Sequence, residues 1–181
     1  MAEEHKTVKQ IWKKYLSKTG ENINNTDKFY ESWYFCNNEK DANELAELVK
    51  KGIKKATASL HCLYEIENEQ VPKAGDYAII TNWNGIAQCI IKIKNINIIA
   101  FKNVTKEFAA KEGEGDKSLR FWRKVHQKFF AKELKERNKK FSEDMLVVCE
   151  EFEVVYQSEQ RNIDKISQIQ NNHVKLYIVY Y

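Results

Sequence analysis

Two short stretches hold reactive residue types, a base beside a weak nucleophile in one and alternating carboxylates in the other. In GIKKAT (residues 52–57), Lys54 and Thr57 stand three apart behind Gly52. A lysine desolvated in a pocket loses proton affinity and can act as a base. A threonine hydroxyl is a weak nucleophile that needs such a base. In a regular strand positions 54 and 57 face opposite sides, so only a turn lets them converge. Lysines that follow a helix are otherwise ordinary surface charges. The second stretch, KEGEGDKSLRFWRKVH (111–126), alternates Glu112, Glu114 and Asp116 with Gly113 and Gly115, ahead of a basic, aromatic helix. Glycine permits close backbone approach, so one of these carboxylates can enter a pocket as acid, base or hydrogen-bond acceptor. The plainer alternative is a helix-to-helix loop whose acids stabilise the next helix N-terminus, a role that suits Asp116. The run offers too few oxygens for calcium.

A second group of residues suits recognition more than catalysis. Between Lys102 and Lys140 there are 13 Lys and Arg against 6 Asp and Glu, a local net of +7 in a chain of net +4. That asymmetry suggests an anionic partner, and the alternative is a solvated helix face. Arg120, Arg123 and Lys124 are the candidates for phosphate contact. Trp83, beside a turn, could stack on a base. Trp33, Tyr34 and Phe35 could line a pocket or fill a core. His126 falls on the apolar side of its helix and reads as a core histidine. The four cysteines show no Cys-x-x-Cys pair, so they read as reduced, mostly buried thiols rather than a disulfide framework or zinc site. No metal or cofactor is expected.

The elements that must position these residues are legible. Val8, Ile11, Trp12, Tyr15 and Leu16 recur at helical spacing and Gly20 is placed to end that helix. FYESWYFC is aromatic and extended, a first strand. Asp41 is the expected cap for a helix from Ala42 to Lys51, ended by Gly52. KATASLHCLYEI has strand character. YAIITNW and IAQCIIKIKNINIIAF flank Asn84-Gly85, a hairpin signal. Thr105 caps a short helix, Asp116 is placed to cap the helix 117–138, and MLVVCEEFEVVY is a buried strand. Strands arrive in hairpins rather than in alternation with helices, which predicts a mixed α+β fold with a small barrel. The 181 residues suit one domain, with a polar tail (157–181) ending in the strand-forming VKLYIVYY. No apolar run is long enough to span a bilayer and the N-terminus has no signal-peptide core, so a cytoplasmic protein is expected.

In order along the chain, SWYFC, ELAELVKKGIKKATASL, PKAGDYAII, CIIKIKNINIIAF, VTKEFAAKEGEGDKSLRFWRKVHQKFF and FSEDMLVVCEEFEVVY resemble the ASCH family of the PUA-like superfamily. The resemblance runs from about residue 28 to 156, with residues 1–27 an N-terminal helix packing on the domain and 157–181 an extension that can add a strand. It implies a small PUA-like mixed β-barrel flanked by helices, with a cleft associated with RNA or nucleotides. Of the family signature Gly-x-Lys-x-x-Glu-x-Arg, Gly52 and Lys54 match, while Thr57 and Ser59 stand at the Glu and Arg positions. A bacterial branch similar to N4-acetylcytidine amidohydrolase has threonine there and a later glutamate, to which Glu112 corresponds. That resemblance implies amide hydrolysis, with Thr57 attacking the acetyl carbonyl, Lys54 taking its proton, and Glu112 binding or protonating the leaving amine. A non-catalytic RNA-binding module and a ribonuclease are the alternatives. RNA cleavage would have to use lysine and a hydroxyl, because His61 and His126 form no convincing pair.

Overall fold

The computed structural model describes residues 4–157; the expected tail strand, within 158–181, lies outside them. Five strands form one sheet: β1 (Tyr30–Trp33), β2 (Ala56–Leu60), β3 (Tyr77–Thr81), β4 (Ala87–Ala100) and β5 (Leu146–Gln157). Their spatial order is β1-β3-β4-β5-β2. Only β1 against β3 is parallel; the other three pairings are antiparallel. The fold is mixed α+β, as the hairpin pattern predicts. The expected barrel, however, is not closed: β1 and β2 are the two edges of the sheet and do not pair. They are four and five residues long, so each offers few backbone groups for closing a seam.

The helices follow from their apolar stripes. Helix α1 (Lys6–Lys18) buries Val8, Ile11, Trp12, Tyr15 and Leu16 against Tyr77, Ile79, Ala87 and Ile90. Helix α2 (Glu39–Lys50) lays Leu45, Ala46 and Val49 on Ala78, Ile80, Cys89 and Ile91. Side chains alternate across a strand, so these two helices cover opposite faces of β3 and β4. That is why all five residues of YAIIT are buried instead of alternating with solvent. Helix α2 starts earlier than expected, because Asn38 is the cap: its Oδ1 accepts the Asp41 N–H at 3.0 Å.

A third cluster joins β2 and β5 to α4 (Lys106–Glu112) and α5 (Leu119–Glu136), with Phe101, Trp122, Phe130 and Val147 at its centre. Ser118, not Asp116, caps α5: Ser118 Oγ accepts the Phe121 N–H at 3.0 Å, while Asp116 accepts the N–H of Ser118. The long strand read into KATASLHCLYEI stops at Leu60 and turns directly into α3 (His61–Glu67). Pairing with β5 ends at Leu60↔Val147, and without a partner strand the extended form has nothing to hold it. Four free cysteines are present, with Cys89 and Cys149 buried. Among the described residues no helix is long and apolar enough to cross a membrane.

Candidate functional site

The two chemistry-bearing stretches meet. Helix α2 ends in a Schellman turn: the Gly52 N–H donates to Val49 O at 2.9 Å and the Ile53 N–H to Leu48 O at 2.9 Å, with Gly52 at φ +67°. This reversal delivers Lys54 to the interior. The Lys55 N–H then donates to Lys111 O at 2.8 Å, tying the segment to the end of α4. Gly113 (φ +74°) ends α4 so close to this strap that a Cβ there would lie 2.5 Å from Ile53 O. Glycine is required at this position for both conformation and space.

Where the stretches cross, a buried charge cluster forms. Lys54 Nζ donates to Glu112 Oε2 at 2.7 Å and to Glu114 Oε1 at 2.6 Å. Lys54 and Glu112 are each 1% exposed. Glu112 Oε1 accepts the Trp122 indole N–H at 2.8 Å and faces His126 Nε2 at 3.4 Å. The His126 ring stacks on Trp122, with centroids 4.2 Å apart. His126 is thus buried, as read from its position on the apolar side, and it also touches the charge cluster. Burial disfavours charge on Lys54, but the carboxylates of Glu112 and Glu114 outweigh it and hold the ammonium above the usual lysine range. Burial likewise opposes charge on Glu112, yet Lys54 and His126 hold its carboxyl well below the usual carboxylate range. Lys54 and Glu112 are therefore ionised and paired, with every buried side-chain nitrogen and oxygen satisfied among the described residues.

Beside it lies a cavity of ≈ 600 Å³. Its wall takes residues from all five strands, including Trp33 of β1, Thr57 and Ser59 of β2, Tyr77 of β3, Ile93 of β4 and Glu150 of β5. Residues of both edge strands, β1 and β2, which do not pair with each other, line it, so it lies at the open seam of the sheet. Thr57 opens on this space. Lys54 does not line it, but its Nζ sits 5.2 Å from the ring centroid of Phe35, which does. The charge cluster is one side chain behind the wall.

Glu150 is the residue that the sequence reading passed over. Thr57 and Glu150 are directly opposed in the β2–β5 ladder, so both side chains project to the same face. Glu150 is 6% exposed and has no ion-pair partner among the described residues. Burial first, then the Glu31 carboxylate, pushes its carboxyl up to about 7. The signal was present: a glutamate at the period-2 position between Val148 and Phe152, in a strand otherwise buried there. Tyr64, whose hydroxyl lies 2.9 Å from Ser59 Oγ, also lines the cavity.

The recognition candidates are placed elsewhere. Arg120, Arg123 and Lys124 are exposed on α5, and Arg123 Nη2 donates to Lys102 O at 2.9 Å. None of them lines the cavity. Trp83 is half-buried and packs its ring 5.0 Å from Tyr34, so it supports a cavity residue from behind.

The arrangement defines a helix-flanked α+β domain with a cavity at the seam of its sheet. The ASCH-domain family model matches residues 31–156, and the chain belongs to that family. A solved ASCH domain from Lactobacillus crispatus is 36% identical with a TM-score of 0.78, covering 87% of this chain and 99% of that one. A solved protein from Enterococcus faecalis is 29% identical with a TM-score of 0.75, covering 97% of this chain and 98% of that one. No curated protein matches the chain.

Proposed function

We propose that this ASCH domain binds a nucleoside unit, free or within RNA, by taking its base into the seam cavity. The observation that carries this reading is the cavity itself. Its volume of ≈ 600 Å³ is in the range of small-ligand sites. Aromatic rings of Trp33, Tyr34, Phe35 and Tyr77 offer stacking surfaces, and Thr57, Ser59, Tyr64 and Glu150 offer hydrogen-bonding groups. The exposed cations Arg120, Arg123 and Lys124 supply a separate surface for an RNA backbone.

A second reading is hydrolysis of the N4-acetyl amide of cytidine. It is favoured by the meeting of Lys54 with Glu112 and by the opening of Thr57 on the cavity. In it the Thr57 hydroxyl attacks the acetyl carbonyl. Lys54, once it has lost its own proton, accepts that of the hydroxyl, Glu112 binds or protonates the leaving amine, and water then cleaves the acetyl-Thr57 ester to release acetate. Because both glutamates hold Lys54 protonated, the neutral fraction grows as pH rises, and so does the rate.

One set of samples tests both readings. Titrating the protein with cytidine, N4-acetylcytidine and a short single-stranded RNA, followed by backbone amide shifts, is expected to move Trp33, Thr57 and Tyr64. Shifts confined to α5 would overturn cavity binding and leave a surface RNA-binding module. Chromatography of the N4-acetylcytidine sample then reads hydrolysis. Cytidine made by the wild type and not by Thr57→Val supports the amidohydrolase; intact substrate at pH 7 and pH 9 removes it and leaves binding in place.

A further inference from the structure

The seam cavity is negatively charged in a chain of positive net charge. Four carboxylates line it, those of Glu31, Glu69, Asp76 and Glu150, and no lysine, arginine or histidine does. The excess of cations lies outside, on α5 and the other surfaces. A phosphate would find four carboxylates and no cation among the lining side chains. We propose that the ring entering the cavity carries positive charge, as a base methylated on a ring nitrogen does, with any phosphate left outside. This rests on the nucleoside-binding reading and narrows its ligand class.

Several observations converge on it. Glu150 is buried, projects into the cavity beside Thr57 and has no ion-pair partner among the described residues. The nearest lysine of the interior, Lys54, is already shared between Glu112 and Glu114. The groups that bear on Glu150 are Glu31 from β1, Asp76 from the turn before β3, Glu112 from α4 and the Tyr64 hydroxyl from α3, so the charged ones are all acidic. Their mutual repulsion is relieved by a cation and worsened by an anion. The walls have the matching chemistry. Aromatic faces attract cations placed over them; Tyr77 is already taken by Lys92 and Lys28, whose Nζ atoms lie 5.4 and 6.0 Å from its centroid, which leaves Trp33 and Tyr34 as the walls for a charged ring. A flat charged ring uses stacking and charge together, whereas a flexible aliphatic amine uses charge alone.

Proton release gives a distinctive readout. With Glu150 titrating near 7, a cationic ligand selects the carboxylate form, and binding at neutral pH releases a proton to the buffer. Affinity for the cation then strengthens about eightfold from pH 6 to pH 7.5, following the deprotonated fraction of a group titrating near 7.

Calorimetric titrations of the whole protein with 3-methylcytidine and 1-methyladenosine, against cytidine and adenosine, test the inference. The expected result is at least tenfold tighter binding of the methylated, charged nucleosides. Their heats should vary between buffers of different ionisation enthalpy, as proton release requires. Glu150→Gln, which keeps the side-chain shape, is expected to remove both the pH dependence and the preference for the charged nucleosides. Equal affinity for charged and neutral nucleosides would overturn the charge requirement but leave nucleoside binding standing. Failure of all four to bind would overturn both readings. Spermidine binding as tightly as 3-methylcytidine would overturn the requirement for a flat ring.

Discussion

At the residue scale, the deciding fact is that Lys54 is buried and paired twice. Lys54 and Glu112 are each 1% exposed and hold each other in charged form, while Glu114 adds a second carboxylate from a partly exposed position. Removing one member of such a set leaves an uncompensated buried charge, which costs about 3–5 kcal/mol. Lys54→Met is therefore expected to lose that much stability at pH 7 in urea unfolding. Glu112 has a folded-state proton affinity below its unfolded one. Its contribution is accordingly present above the unfolded carboxylate range and is lost as pH falls through the lower folded value. In Lys54→Met, Glu112 keeps only the Trp122 indole N–H and His126 and takes up a proton more readily on acidification, so the deficit against wild type should shrink between pH 7 and pH 4. A constant deficit over that range would mean that Lys54 acts through packing alone. The same pairing bears on any role for Lys54 as a base. Lysine, glutamate and threonine were each legible as types, but their protonation states depend on neighbours up to 60 residues away in the chain.

At the element scale, function depends on how α2 and α4 end. The Gly52 turn aims Lys54 inward, and the Gly113 turn brings the acidic loop against it. These two glycines share a left-handed conformation but differ in surroundings. A Cβ at Gly52 would have nothing within 4 Å, whereas at Gly113 it would press on the Ile53 carbonyl. Gly52→Ala is expected to cost about 1–2 kcal/mol from backbone strain. Gly113→Ala adds a displacement of the Lys54 strap, worth about 1–3 kcal/mol more. Equal unfolding free energies for the two variants would show that the close approach is not maintained in solution. Gly52 was readable as a helix stop. A close backbone approach at the 113–115 glycines was readable as well, but not what it approaches, because the atom that excludes a side chain at 113 belongs to residue 53.

At the scale of the whole molecule, a helix outside the matched segment 31–156 backs the cavity wall. Trp12 of α1 lies 5.0 Å from Tyr30 and 5.5 Å from Tyr77, centroid to centroid, and Tyr77 lines the cavity. Trp12 is 2% exposed. Trp12→Ala is expected to destabilise the protein by about 3–5 kcal/mol and to weaken ligand binding, since Tyr77 loses its support. Thermal and urea unfolding check the first effect. A loss below about 1 kcal/mol would mean that α1 is not an integral layer of the core.

The sequence by itself determined most of the local elements, α3 being the exception. Apolar spacing marked α1, α2 and α5, the hairpin signal joined β3 to β4, and the run of β-branched residues marked β5. These are short-range properties, set by propensity and periodicity within a dozen residues. The sequence also singled out Lys54, Thr57 and Glu112. The tertiary structure alone decided that Lys54 and Glu112 form one ion pair while Thr57 opens on a cavity next to it. It alone decided that the sheet stays open at β1 and β2, and that Glu150 faces Thr57 across a ladder. Those outcomes rest on register and on burial between distant segments. A one-residue shift of β5 against β2 would send Glu150 to the other face, and no pattern within either strand specifies that register.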